Sequence, residues 1–411
     1  MTPRTILYTG KGGVGKTSVA AATALATARS GLRTIVMSTD PAHSLSDSLE
    51  CGLGPQPVLV AENLWAQEVQ AEAEMERHWQ AVQRWLGGLL SDRGVDRILA
   101  EELTVPPGMD EIFSLLQLKA HHESGDFDVI VVDCAPTGET LRLLSFPEVA
   151  RWWLEKVFPW EKRLLTAARP LARTVLDLPL PGNDVLAEVQ DLVRNLIDMS
   201  DILRDRSRSS IRLVMNPERM VIKEAQRTFT YLNLYGYLTD AVVVNRVFPD
   251  DVEGGYFSAW RAVQQQHVEL VEQAFAPVPV LRAPFFEQEV VGGQMLERLG
   301  EAVFGSRDPA RVLYHDQSLA LTMDGDSAEL RLRVPFADKG DVKLQKIGLE
   351  LVIRVGGRKR NIVLPSALAS FGPRDAKLES GTLRVRFARS EPAAGRQEDG
   401  RAPQASAREA V

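Results

Sequence analysis

Eight residues near the start of the chain, Gly10-Lys11-Gly12-Gly13-Val14-Gly15-Lys16-Thr17, stand between an apolar run, Thr5 to Thr9, and an alanine-rich stretch that continues from Thr17 to Arg29 and stops at Gly31. Few folds accommodate that order. A glycine-rich loop that leaves a strand and opens a helix aims successive backbone N–H groups and the positive helix end at one point, which is how phosphate is held. The glycines permit backbone geometries closed to other residues. Residues Gly10 to Ser18 are therefore read as a cradle for a nucleoside triphosphate, with Lys16 reaching the β- and γ-phosphates and Thr17 the Mg²⁺. Lys11 is one cation more than such a loop requires. It is either a solvated loop lysine or a phosphate contact made across a dimer interface, since a side chain so early in the loop points away from its own pocket.

A second strand candidate, Thr34 to Ser38, follows the helix, and further ones are Asn63 to Val69, Asp128 to Asp133, Ile211 to Met215, Ala241 to Asn245 and Val278 to Arg282. Most are β-branched and apolar on both faces, which suits a buried, mostly parallel sheet covered by helices. Helical stretches at about 71–90, 95–103, 112–122, 147–172 and 185–203 are too long for simple crossovers and read as a helical subdomain, inserted at about 71–125 and 141–207. At 411 residues the chain exceeds the size at which one core stops growing. The expected division is an α/β P-loop domain over 1–304, a linker over 305–311, a β-sandwich over 312–388 and a disordered tail over 389–411. In the sandwich, Leu330, Leu332 and Val334 alternate with Glu329, Arg331 and Arg333, and Leu351 with Ile353 and Leu383 with Val385 keep the same period of two.

Two strand ends carry carboxylates where an attacking water or a metal ion would lie. Strand Thr34 to Ser38 runs into Thr39-Asp40-Pro41-Ala42-His43, and strand Val129 to Val132 ends in Asp133. Asp-Pro also starts turns, so Asp40 admits that plainer reading; Asp133 has the form of a Mg²⁺ carboxylate acting through a water. Asn216-Pro217-Glu218 follows its own strand and is alternatively a helix start, because a glutamate in a first turn is favourable.

Taken together, the loop with its additional lysine, the Asp40 segment and Asp133-Cys134-Ala135-Pro136-Thr137-Gly138-Glu139 resemble the dimeric ATPases of the arsenical-pump and tail-anchored-protein targeting group. The resemblance runs from about residue 5 to 300 and departs at Glu139, where the targeting factors usually carry histidine. It implies ATP and Mg²⁺ as ligands, Asp40 as the activator of water, and Lys11 acting in trans in a homodimer. It further implies Asn245 as reader of the adenine edge, Pro284 and Phe285 as the cover of the base, and Glu218 as a sensor of the partner's nucleotide. No second P-loop exists in the sequence, so a facing site must come from another copy.

The segment Leu349 to Val355, then Arg360 to Pro365, then Ala376 to Phe387 resembles the α-crystallin domain of small heat-shock proteins, and the tail lacks their I-x-I anchor. With two cysteines, Cys51 and Cys134, one chain cannot assemble a three-sulfur metalloid site, and the stretch Phe248 to Phe275 carries none of the paired cysteines of a zinc-bridged dimer. No zinc is expected. An arsenite or anion pump-driving role is accordingly disfavoured. The resemblance points to an ATP-driven chaperone or targeting factor, whose groove for hydrophobic client polypeptide, such as a tail-anchored membrane protein, is sought at Trp152, Trp153, Leu154, Val157, Phe158 and Leu164, residues that alternatively pack the subdomain's own core. A regulatory switch that binds a partner protein only when ATP-loaded is the alternative; a membrane receptor is a further partner compatible with the targeting reading. The net charge of −7 gives no electrostatic footprint for nucleic acid. No leader is read at the N-terminus and no run reaches the roughly 18 apolar residues of a membrane span. A cytoplasmic setting is expected, or a stroma-like one in a plastid-bearing source.

Overall fold

The computed structural model describes residues 2–40, 44–70, 75, 79–91, 109–134, 182–250, 255–275, 278–315, 319–334, 342–355, 358–364 and 368–389. Strands β1 (Arg4–Thr9), β2 (Thr34–Ser38), β3 (Val58–Ala61), β4 (Leu64–Glu68), β5 (Val129–Asp133), β6 (Ser209–Met215), β7 (Thr239–Val247) and β8 (Val280–Pro284) form one sheet in the order β3-β4-β2-β5-β1-β6-β7-β8. All neighbours run parallel except β3 against β4. Every residue of β1, β2, β5 and β6 is buried, as a sheet covered on both faces requires. β3 was not among the sequence candidates. It is a four-residue edge strand with Val58 and Leu59 exposed, so its apolar residues follow no burial pattern that sequence could reveal.

Helices α1 (Lys16–Arg29), α2 (Ser44–Leu49), α3 (Gln80–Ser91), α4 (Met109–Ser124), α5 (Asn183–Arg204), α6 (Arg219–Leu234), α7 (Gly255–Phe275) and α8 (Gly292–Phe304) accompany the sheet. The alanines of α1 leave so little bulk that α8 packs directly on it, Gly300 lying against the Ala22 carbonyl. α3 and α4 both pack on α5, with Ala81, Val82 and Val185 forming a small core of their own. Glu188 of α5 accepts from the backbone N–H groups of Ala81 and Val82 at 2.6 and 3.1 Å, satisfying donors that the start of α3 leaves without intrahelical partners. The helices expected at 95–103 and 147–172, and the groove residues Trp152, Trp153, Leu154, Val157, Phe158 and Leu164, lie outside the described residues.

The C-terminal region is antiparallel. β9 (Leu319–Asp324), β10 (Ser327–Arg333), β11 (Val342–Ile347), β12 (Glu350–Val355), β13 (Arg358–Val363), β14 (Phe371–Glu379) and β15 (Thr382–Arg389) form a sheet ordered β14-β15-β10-β9 and a sheet ordered β11-β12-β13. Leu330 stands opposite Val385 and Leu332 opposite Leu383, and these residues join Val334, Leu351, Ile353 and Phe387 in a second core. The alternation in sequence is thus the burial pattern in space. Tyr231 of α6 packs against both this core and that of the large sheet.

The segment expected as the linker between the two domains, 305–311, is stitched to the large sheet. Ala310 is buried in that sheet's core, and Leu313 and Tyr314 pack against it. The Ala310 carbonyl accepts from Arg4 Nε at 2.9 Å, the Arg311 carbonyl accepts from Arg212 at 3.1 Å, and Leu313 N–H donates to Asp240 at 3.1 Å. A hydrogen bond to a charged group contributes about 1.5–3 kcal/mol. A chain stopped after Arg307 is therefore expected to lose several kcal/mol relative to one stopped after His315, a difference that urea unfolding of the two truncations would read. Equal midpoints would show that the segment is dispensable.

Candidate nucleotide site

Strand order reverses at β1, with β5 and β2 on one side and β6 and β7 on the other, and ligands of open α/β sheets bind in the crevice beyond the carboxyl ends at such a reversal. The glycine-rich loop lies there. Gly15 has φ 86°, the left-handed region, immediately before α1. A Cβ on Gly10 would run into the Val214 carbonyl, so that position also admits nothing larger. Asn245, near the end of β7, donates from Nδ2 to the Val14 carbonyl at 2.9 Å, while its Oδ1 accepts from the Arg246 N–H at 2.9 Å. Its amide thus braces the loop. Lys16 is buried, and its Nζ donates to the Lys11 carbonyl at 3.5 Å, so the loop curls around the ammonium group. Lys11 itself leans toward α6, with Nζ 4.0 Å from Glu224 and a half-exposed side chain.

The two carboxylates expected at strand ends come together beside the loop. Ser38, Asp133 and Tyr8 share one row across β2, β5 and β1, and the Thr39 N–H donates to the Asp133 carbonyl at 3.0 Å. Asp40 follows directly, its N–H donating to Ser38 Oγ at 3.2 Å. Asp133 is completely buried and neither carboxylate oxygen has a hydrogen-bond partner. Burial pushes its carboxyl up to about 7; Asp40 acts in the same direction, against Thr17 and Lys16. A buried carboxylate left without partners is costly, and a cation removes the cost. Among the described residues no group of three or more His, Cys, Asp or Glu is placed to hold a metal by itself. The residues fit Mg²⁺ in another way: the Thr17 hydroxyl and Asp133 are hard oxygen donors, and a nucleotide completes the set. Thr17 and Asp133 would hold such an ion, which would supply positive charge beside the phosphates.

Two features of this region were missed in the sequence. Ser44, the first residue of α2, brings its Oγ to 3.0 Å from Thr17 Oγ1, and Glu68 at the end of β4 accepts from the Ser46 N–H at 2.9 Å. In sequence Ser44 reads only as part of the segment that follows Asp40, with the chemistry placed on the carboxylate. A lone glutamate at a strand end gave no signal for the second.

Beyond β6 and β7 opens a cleft of about 630 Å³ whose lining includes Asn216, Pro217, Glu218, Arg246, Phe248 and Phe285. Glu218 immediately precedes α6 in an extended conformation. Phe285 is half-exposed and packs on Phe248 with ring centroids 5.6 Å apart. Buried Asn216 leaves Oδ1 without a partner. Glu218, expected to sense a partner's nucleotide, and Phe285, expected to cover the base, therefore share one cleft; Pro284 borders a neighbouring one of about 710 Å³, and Asn245 serves the loop.

A mostly parallel sheet with this loop after a central strand, a buried lysine within the loop and a buried carboxylate at the adjacent strand end define a P-loop nucleoside triphosphatase. Residues 3–305 match the anion-transporting ATPase family, and residues 325–387 match the HSP20-like domain found in ArsA. Relatives named arsenical pump-driving ATPases occur in Chlorobaculum tepidum, 38% identical over 93% of this chain and 96% of the relative, and in Aquifex aeolicus, 36% identical over 93% and 99%. A relative from Paramecium tetraurelia named ATPase ASNA1 homolog 1 is 29% identical over 72% of this chain and 91% of its own length. The chain belongs to the anion-transporting ATPase family and is an ATP-hydrolysing enzyme. Among the described residues no helix is long and apolar enough to cross a membrane.

Proposed function

We propose that this chain is a homodimeric, ATP-driven chaperone or targeting factor for hydrophobic polypeptide segments, tail-anchored membrane-protein helices being the type case. The observation that carries the reading is the union, on one chain, of this family's ATPase with a domain of the small heat-shock type. Such domains handle unfolded apolar polypeptide, whereas a soft metalloid centre needs several thiolates. This chain has two cysteines, of which Cys134 is buried directly behind Asp133.

In the proposed cycle Lys16 binds the β- and γ-phosphates, Thr17 and Asp133 hold Mg²⁺, and Asp40 orients water. A second copy contributes Lys11, the half-exposed lysine beside α6. Pro284 and Phe285 enclose the base, Asn245 braces the phosphate loop, and Glu218 reads the partner's nucleotide state. Hydrolysis reshapes a groove in the helical subdomain, and the β-sandwich modulates what the groove holds.

The test combines the purified full chain with a hydrophobic tail-anchor helix and, separately, with arsenite. Nucleotide-dependent capture of the helix, with turnover indifferent to arsenite, is the expected outcome. Several-fold stimulation by arsenite without capture would instead favour the pump-driving role carried in the names of the bacterial relatives.

A further inference from the structure

The helix α2 has six residues, too few to hold its own conformation, so its position depends on what grips it. Its own Leu45 is fully buried. Just past its end, Glu50 lies against Gly292, the first residue of α8. At its start, the buried Glu68 carboxylate accepts from the Ser46 N–H at 2.9 Å. The first N–H groups of a helix lack intrahelical partners, and an anionic acceptor suits both the missing bond and the helix dipole.

Glu68 is anchored in its turn. It ends β4 in the row Glu68, Ser38, Asp133, which crosses β2 to the carboxylate beside the loop. Its own N–H donates to the Gly54 carbonyl at 3.1 Å, and the following Val69 N–H donates to Ser38 at 3.1 Å. Two residues before Ser46 stands Ser44, whose hydroxyl meets that of Thr17 at 3.0 Å. A short, rigid path therefore connects the end of β4 with the hydroxyl that opens the phosphate-binding helix.

We propose that Glu68 is a positioning residue for ATP hydrolysis: by holding the start of α2 it keeps Ser44 on Thr17 and keeps Asp40, four residues earlier, in line with the terminal phosphate. This rests on the reading of Asp40 and Thr17 given above. Glu68 stands two strands away from Asp133 and acts through the Ser46 N–H, so its loss acts on geometry. A misplacement of about 1 Å at a reacting centre can cost on the order of a hundredfold in rate.

Two variants separate reach from charge. Glu68→Gln keeps the length and one acceptor oxygen, whereas Glu68→Asp keeps the charge and withdraws it by one methylene. Turnover, affinity for a fluorescent ATP analogue and amide hydrogen exchange across 44–49 are measured for both full-length chains. Glu68→Asp is expected to lower kcat at least tenfold, leave nucleotide affinity within threefold and accelerate exchange in α2. Glu68→Gln is expected to rescue all three to within threefold of the parent. Parental turnover in Glu68→Asp, or equal damage in the two variants, overturns the proposal. Asp40→Asn, run in parallel, separates the two readings: parental turnover there removes Asp40 from the mechanism, while the exchange of α2 amides still judges Glu68.

Discussion

Asp40→Asn is expected to lower ATP turnover by a hundredfold or more while leaving nucleotide affinity nearly unchanged. The amide has the size of the carboxylate and can keep the backbone arrangement in which the Asp40 N–H donates to Ser38 Oγ. It cannot accept a proton from water, and general-base assistance contributes about 10²–10⁴-fold. The Lys16→Ala chain should fail differently. Lys16 is the buried cation around which the loop curls, so its removal weakens ATP binding itself. Steady-state turnover together with equilibrium nucleotide binding distinguishes the two failures. Parental kcat in Asp40→Asn would assign water activation to another residue, and unchanged affinity in Lys16→Ala would contradict the assignment of the loop.

The second large effect lies away from the nucleotide. Asp240, at the start of β7, is the carboxylate around which Arg4 and Arg212 are buried, with contacts of 3.3 Å to each. Arg212 also donates to the Tyr8 hydroxyl at 3.1 Å, and Tyr8 in turn shares a 2.6 Å hydrogen bond with Thr23 of α1. Burial holds the Arg4 guanidinium down at about 10 despite the attraction of Asp240; for Arg212 burial is outweighed by Asp240 and Tyr8, and its pKa is raised. Removing one partner of a buried charge set costs about 3–5 kcal/mol because the remaining charge is stranded. Asp240→Ala, which strands two, is expected to reach that range or exceed it in urea unfolding. A loss below about 1 kcal/mol would mean that water enters to solvate the arginines.

Much of the site was legible because it is local in sequence. The loop, its strand and its helix are contiguous, and Asp40 and Asp133 end apolar runs, so strand order alone brings them together. The sandwich was legible because Leu330, Leu332, Leu383 and Val385 repeat with the pleat. Arg4, Arg212 and Asp240 were not. Their partners lie as far as 306 residues away, and a charged residue within an apolar strand is recognisable as buried only once its counter-charge is placed. Arg212, inside the run Ile211 to Met215, was the one available signal. Asn245 illustrates a different limit. Its strand-end position near the loop was readable, but the bond to the Val14 carbonyl depends on how closely β7 approaches the loop.

The stitching of Ala310, Arg311 and Leu313 to the sheet sets a timetable for synthesis. Leu313 follows Asp240 by 73 residues, and at about 5–20 residues per second the ribosome delivers it roughly 4–15 s later. Until then both guanidiniums and Asp240 lack backbone partners that complete their burial, so the nascent ATPase module remains hydrated at the amino ends of β1, β6 and β7. Its closure is a late event, coinciding with the first appearance of the sandwich rather than preceding it.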